Sequence, residues 1–165
     1  MTALTAGTKA PDFQLKSMDG KRFSLQEELG RRPVVLAFFK VSCPVCQYAF
    51  PFLERLHKAY GQTKVTLVGV SQNDPQETAA FSKDFGVTFP VLLDPRDGYP
   101  VSNAYGLTTV PTVFWIGQDG EIEVSSVGWV KAEFEEINRK MAEARNIPAA
   151  SVFKPADDVR DFRPG

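Results

Sequence analysis

The chain has 165 residues and a formal net charge of -1 at pH 7, with 43% hydrophobic and 24% charged residues. This length and composition predict one folded globular domain around a single core, and they exclude a disordered or fibrous chain. The balanced charge gives no electrostatic reason to expect nucleic acid or an anionic membrane as a partner. The longest apolar run, Val34–Phe39, is far too short to cross a bilayer.

The N-terminal residues predict no secretory leader. Such a leader has a basic start and an apolar stretch of about 7 to 15 residues, whereas residues 1–11 mix Thr, Ala and Gly with a single Lys. The sequence therefore predicts a cytoplasmic protein, although an exported protein whose leader had been trimmed would look the same.

Strands are predicted where short β-branched runs and Asp-Gly turns occur. Continuous apolar runs of this length are typical of buried central strands. The pairs Asp19-Gly20 and Asp119-Gly120 favour tight turns between strand-forming residues and therefore predict two hairpins. The predicted buried strands are 34–39, 65–70 and 91–93, and the predicted hairpins join 13–15 to 23–25 and 112–116 to 121–127.

Helical spacing of apolar residues predicts four helices, at 44–60, 75–85, 101–105 and 131–145. Gly61 ends the first of them and Asp74 caps the second. Strands that alternate with helices predict an α/β fold with a central sheet covered on both faces. Residues 1–146 form this predicted domain, and the polar, proline-broken residues 147–165 form a predicted tail that is irregular and either lies over the surface or is disordered.

The only two cysteines, Cys43 and Cys46, lie where a predicted strand ends and a predicted helix begins. Free N–H groups and the helix dipole favour a thiolate at that helix terminus, and we expect help from the Cys46 thiol and from Lys40. Pro44 presets the backbone of the first helical turn. We therefore expect Cys43 to attack a substrate disulfide. Cys46, one turn further, would then attack the mixed disulfide and leave a redox-active Cys43–Cys46 disulfide.

Other uses of the two cysteines are less well supported. A zinc site needs four ligands, and the only histidine, His57, is distant in sequence, so no metal is predicted. A purely structural disulfide would be unusual in a reducing cytoplasm. A non-enzymatic redox-sensing or binding module could use the same two residues, and this alternative stays open.

Four motifs occur in a fixed order along the chain: Ala10-Pro11-Asp12-Phe13, Cys43-Pro44-Val45-Cys46, Pro51, and Val110-Pro111-Thr112. Over residues 7–144 the chain resembles thioredoxin-fold redoxins of the TlpA and ResA type, which are related to the AhpC/TSA peroxiredoxins. The resemblance implies a thioredoxin-like fold with a central mixed sheet, helices on both faces, an N-terminal hairpin and an extra strand-helix insertion. It also implies a thiol-disulfide oxidoreductase that needs no cofactor.

The resemblance further implies where a client would bind. Val110 would offer its backbone to an extended segment, and Pro111, cis in thioredoxins, would lie beside the cysteines with Pro44 and Val45 as supporting residues. Trp129 lies in a loop that is near the cysteines in this family, so it lines the substrate surface or simply packs in the core. The implied partners are protein disulfides or dithiols and an electron donor such as a thioredoxin-type reductase system.

Two departures from the family bear on the chemistry. The buried Asp of thioredoxins is replaced by Ala37, so that carboxylate cannot accept a proton from Cys46. In peroxiredoxins, a Thr or Ser and an Arg polarise the peroxide, and the corresponding positions here hold Cys43 and Pro111. The sequence therefore favours disulfide chemistry over the peroxiredoxin-like thiol peroxidase alternative.

Overall fold

The computed structural model describes residues 2–165. The elements, in chain order, are β1 (Gln14–Lys16), β2 (Arg22–Ser24), α1 (Leu25–Leu29), β3 (Val34–Phe39), α2 (Pro44–Tyr60), β4 (Thr66–Ser71), α3 (Pro75–Asp84), β5 (Val91–Leu93), α4 (Pro100–Ala104), β6 (Thr112–Ile116), β7 (Ile122–Val127), β8 (Trp129–Val130), α5 (Lys131–Arg145), a short 3-10 turn (Pro155–Asp157) and β9 (Phe162–Arg163). No helix in residues 2–165 combines the length and apolarity that a bilayer crossing requires.

A five-stranded mixed sheet in the order β5-β4-β3-β6-β7 forms the centre of the protein. Strand β3 is its middle strand, because it pairs in parallel with β4 and antiparallel with β6. Every residue of β3 is buried, as expected for a continuous apolar run that is covered on both faces. The predicted α/β class and the central mixed sheet are confirmed.

The side chains of successive residues in β3 point to opposite faces of the sheet, so the hydrophobic core extends over both faces. Phe39 packs against Phe50 of α2 and Phe81 of α3, with ring centroids 4.4 and 4.8 Å apart. Phe38 points the other way and meets Tyr105 at 5.5 Å. Because an aromatic side chain buries a large area, worth about 1.5–3 kcal/mol for a Phe, these contacts fix α2 firmly on the sheet.

Both Asp-Gly hairpins are present. Strands β1 and β2 pair antiparallel to form the N-terminal hairpin, and β6 and β7 pair antiparallel around the second turn. The hairpin β1-β2 also reaches the sheet edge through a bridge between Ser17 and Leu92. Strand β5 and helix α3 supply the predicted insertion.

The differences from the predicted elements are local. Leu25, placed in a strand by its sequence neighbours, instead begins α1, because the Ser24 hydroxyl caps that helix by accepting the Glu27 N–H at 3.4 Å. The predicted irregular tail lies over the surface, but it contains the 3-10 turn and β9. Strand β9 pairs antiparallel with β8.

Candidate active site

Cys43 is the N-cap residue of α2, between the end of β3 and the first helical residue, Pro44. Its backbone is extended, which directs the side chain over the first turn, where Sγ accepts the Cys46 N–H at 3.1 Å. An N–H donor aimed at sulfur interacts more strongly with a thiolate than with a thiol, and the helix dipole acts in the same direction. The strand-to-helix junction thus gives this one sulfur the setting of a nucleophile.

Cys46 lies one turn along α2 on its buried face, and none of its surface is exposed. Burial raises the pKa of the Cys46 thiol, and the hydrogen bond to Cys43 raises it further. Both cysteines are free thiols, and Cys43 is partly exposed. The two cysteines are therefore unequal: Cys43 is accessible from solvent, whereas Cys46 is not.

The Val110-Pro111 peptide lies beside the nucleophile. This peptide bond is cis. The Cys43 thiol donates to Val110 O at 3.4 Å, so the loop before β6 touches the start of α2. The Val110 carbonyl thus lies beside Cys43, whereas a role of Val110 and Pro111 in binding a client stays a prediction.

The loop that leads from β3 to Cys43 is held by side chains that the sequence reasoning missed. Asn73, just beyond β4, accepts the Val41 N–H at 3.0 Å through Oδ1, and Gln47 donates from Nε2 to Val41 O at 2.9 Å. The available signal was the polar run that directly follows a buried strand, because the ends of parallel strands meet at one edge of the sheet.

Lys40 contributes to the site through its backbone. Its carbonyl accepts the Cys43 N–H at 3.2 Å, while its side chain is exposed. Val45 is buried at the start of α2, and Pro44 is exposed at the first helical position. The Lys40 carbonyl therefore contacts Cys43, and assistance from its ammonium stays a prediction.

Trp129 is fully buried. Its ring packs 5.2 Å from both Tyr48 and Phe52 and 4.4 Å from Phe134, and its Nε1–H donates to Arg160 O at 2.6 Å. The expectation that it lines an open substrate surface is therefore wrong for this structure, because the tail covers it; the packing alternative describes it. His57, away from the site, contacts Gln62 through Nδ1 at 3.2 Å.

Residues 2–165 hold no cluster of three or more His, Cys, Asp or Glu side chains suited to a metal ion. At the position of the thioredoxin Asp, Ala37 is buried in the middle of β3. Position 37 therefore supplies no carboxylate that could accept the proton of Cys46.

Comparison with known proteins agrees with this geometry. The model of the AhpC/TSA family matches residues 6–125. Thiol-disulfide oxidoreductase ResA of Geobacillus thermodenitrificans is 32% identical over 133 residues, which cover 80% of this chain and 75% of that protein. A Mycobacterium tuberculosis protein named as a candidate peroxiredoxin is 33% identical over 135 residues, covering 75% of this chain and 85% of its own length.

Among solved structures, a thiol:disulfide interchange protein of the thioredoxin family from Chlorobium tepidum superimposes with a TM-score of 0.68 at 26% identity, covering 84% of this chain and 99% of that one. The fold and the cysteine pair at the start of α2 thus define a thioredoxin-like thiol-disulfide oxidoreductase. The chain belongs to the AhpC/TSA family, which confirms the resemblance drawn from its motifs.

Proposed function

We propose that the protein transfers two electrons between its cysteine pair and the disulfides of client proteins, with Cys43 as the attacking residue and Cys46 as the resolving residue. One observation carries this assignment: Cys43 is partly exposed and its sulfur accepts the N–H of Cys46, which is itself completely buried.

The proposed reaction has two exchange steps. The Cys43 thiolate attacks one sulfur of the client disulfide, so that a Cys43–client S–S bond forms, the client S–S bond breaks, and the released client thiolate takes up a proton. Cys46 then loses its proton and attacks Cys43 Sγ. The Cys43–Cys46 disulfide forms, the second client sulfur leaves as a thiolate, and the client has gained two electrons. A dithiol donor, such as a thioredoxin-type reductase system, then reduces the pair.

The second step depends on deprotonating Cys46. Its raised pKa and the buried Ala37 mean that the thiol needs a base from outside the core. The client thiolate released in the first step is a base generated at the site, and it can accept this proton. The attack of Cys46 on the mixed disulfide therefore depends on the base that the client supplies.

The backbone of Val110 supports a protein client. Among the backbone hydrogen bonds within residues 2–165, none comes from the Val110 N–H, and Val110 O is in contact with Cys43. A chain segment in extended conformation can pair with such a backbone, which gives affinity with little dependence on side chains.

A thiol peroxidase is the second candidate, favoured by the similarity to the Mycobacterium tuberculosis protein and by the family itself. At the positions where peroxiredoxins hold their peroxide-polarising residues, this chain has Cys43 and Pro111. Neither residue can donate hydrogen bonds as Thr and Arg do, so the developing charge on a peroxide oxygen would be poorly stabilised.

Two rates measured on the reduced protein test the proposal. One is the rate of insulin disulfide reduction with dithiothreitol as donor, and the other is the second-order rate constant for hydrogen peroxide, followed by tryptophan fluorescence and thiol mass. We expect rapid insulin reduction and a peroxide rate no greater than that of an ordinary thiolate. A peroxide rate orders of magnitude higher, without insulin reduction, would establish the peroxidase instead.

A further inference from the structure

The tail is bound to the body of the protein along its first half. Tyr60 Oη accepts the Ala150 N–H at 2.8 Å, and Asn138 Nδ2 donates to Ala150 O at 2.8 Å. Further on, Arg55 of α2 pairs with Asp157 through two hydrogen bonds, of 2.7 and 3.2 Å. The tail is therefore held across the same helix that carries the cysteines.

Residues 160–165, here called the strap, continue toward the active site. Arg160 donates its N–H to Tyr48 Oη at 3.1 Å and accepts the Trp129 Nε1–H at 2.6 Å. The Arg163 guanidinium lies 4.7 Å from the centre of the Tyr48 ring, and Lys131 donates its N–H to Asp161 O at 2.8 Å. Since Tyr48 belongs to the second turn of α2, the strap is anchored beside the cysteine pair.

The last residue of the strap lies against the Val110 carbonyl. A Cβ placed on Gly165 would be 2.4 Å from Val110 O and 2.9 Å from Thr109 Oγ1. A Cβ on Gly128 would be 2.7 Å from Arg163 O. All three distances are shorter than a real Cβ atom tolerates, so the strap backbone lies directly on the loop before β6 and on the turn between β7 and β8.

The same carbonyl also contacts the nucleophile, because the Cys43 thiol donates to Val110 O at 3.4 Å. A chain segment that brings a disulfide sulfur to Cys43 must pass next to Val110. The strap and an extended client segment therefore compete for one edge, while the partly exposed Cys43 remains open to a small molecule.

We propose that the strap selects substrates: when it is closed, Cys43 reacts with small disulfides, and an extended polypeptide gains access only when residues 160–165 lift from Val110 and Gly128. This inference rests on the proposed function, since it assumes that Cys43 reacts with disulfides, and it adds that the strap determines which disulfides reach Cys43. The strap pairs through only the two residues of β9 and has an exposed Phe162. Opening it breaks this pairing together with the contacts of Arg160, Asp161 and Arg163, and leaves the rest of the fold in place.

The test compares two alkylating probes of different size, and it needs no turnover. In a Cys46→Ser background, the rates at which Cys43 reacts with iodoacetamide and with an extended peptide carrying a central bromoacetyl group are measured by mass spectrometry. In each case a sulfur–carbon bond forms at Cys43 and halide leaves. The ratio of the peptide rate to the iodoacetamide rate reports strap closure.

Gly128→Ala pushes the strap away, and Gly86→Ala is its matched control. Both glycines have positive φ, +73° and +67°, but a Cβ at Gly86 has no neighbour within 4 Å. We expect Gly128→Ala to raise the ratio at least about fivefold by increasing the open population, and Gly86→Ala to leave it unchanged.

Gly165→Val, which crowds Val110 and keeps residue 128 as glycine, provides a second variant in case Gly128→Ala fails to fold, and it should also raise the ratio. An unchanged ratio in the folded variants overturns the strap proposal, even if insulin is reduced. Insulin reduction is measured separately on the wild-type protein and on the strap variants with Cys46 retained. Failure to reduce insulin in all of these would count against the proposed function, while the alkylation ratio would still decide the role of the strap.

Discussion

The Cys43 sulfur accepts the backbone N–H of Cys46 at 3.1 Å, so the two cysteines interact through the first turn of α2 while both are still reduced. This contact depends on backbone conformation rather than on the Cys46 side chain. A serine at position 46 can therefore keep the Cys43 environment while removing the second sulfur.

Substitution of each cysteine should give different products. Cys43→Ser should abolish insulin reduction because the exposed nucleophile is gone. Cys46→Ser should also lose turnover but accumulate a mixed disulfide between Cys43 and the client, since nothing can resolve it. Non-reducing gels and intact mass measure the adduct. A client adduct on Cys46 in the Cys43→Ser variant, or no adduct on Cys43 in the Cys46→Ser variant, would contradict the assigned roles.

The resolving step should accelerate as pH rises. Because the pKa of Cys46 is raised by burial, only a small fraction is thiolate near neutrality, and that fraction grows about tenfold per pH unit while the pH is below the pKa. A preformed mixed disulfide between Cys43 and a small aromatic thiol, followed by release of that thiol between about pH 6 and 8, gives the rate directly. A flat profile would mean that Cys46 is already ionised in the mixed disulfide.

The tail should loosen in acid. The hydrogen bonds from Arg55 and from the Lys154 N–H lower the pKa of Asp157 to about 2. Because the pKa of Asp157 is lower in the folded state than in the unfolded state, its ionised carboxylate stabilises the attached tail above about pH 4. This stabilisation is lost as the pH falls from about 4 toward 2 and the carboxylate takes up a proton.

The acid effect can be measured as the rate of pepsin cleavage between residues 150 and 165. Asp157→Asn is the matched variant, because it removes the titrating group and keeps the size of the side chain. We expect pepsin to cleave the tail of this variant faster than that of the wild type at pH 4. Below pH 4, the cleavage rate of the variant should not rise steeply as that of the wild type does. If the wild type and the variant showed the same dependence of cleavage rate on pH, protonation of Asp157 would not be what loosens the tail.

The buried hydroxyl of Tyr60 should stabilise the fold through the tail. It hydrogen-bonds to Asn138 Oδ1 and accepts the Ala150 N–H. Tyr60→Phe leaves these partners unpaired and should lower the free energy of unfolding by about 1–3 kcal/mol. Urea denaturation measures this free energy of unfolding. Tyr99→Phe, at a half-buried turn residue, should change it by less than about 0.5 kcal/mol.

Much of the fold was predictable because strong local signals coincided. The bounds of β3 and α2 were predicted to the residue, since a continuous apolar run predicts a buried strand and Gly61 interrupts a helical period. Helix α1 was missed because five residues are too few to show a period, and only the Ser24 cap distinguishes it from a strand. The cysteine pair was predictable for the same local reason, since a strand directly precedes a helix there.

The parts of the site that were missed depend on contacts between distant residues. The pairing of β8 with β9 joins positions more than thirty apart through only two residues each, which leaves no pattern in the sequence. Burial of Trp129 follows from that pairing, because the strap covers it. Similarly, no local rule indicates that the Lys40 carbonyl accepts the Cys43 N–H.

The position of Gly165 against Val110 has a practical consequence for handling the protein. Any residues attached after Gly165, such as an affinity tag or a fused reporter, would emerge at the mouth of the cysteine site and not at a remote surface. Assays that compare clients of different size are therefore best run on protein tagged at the other end.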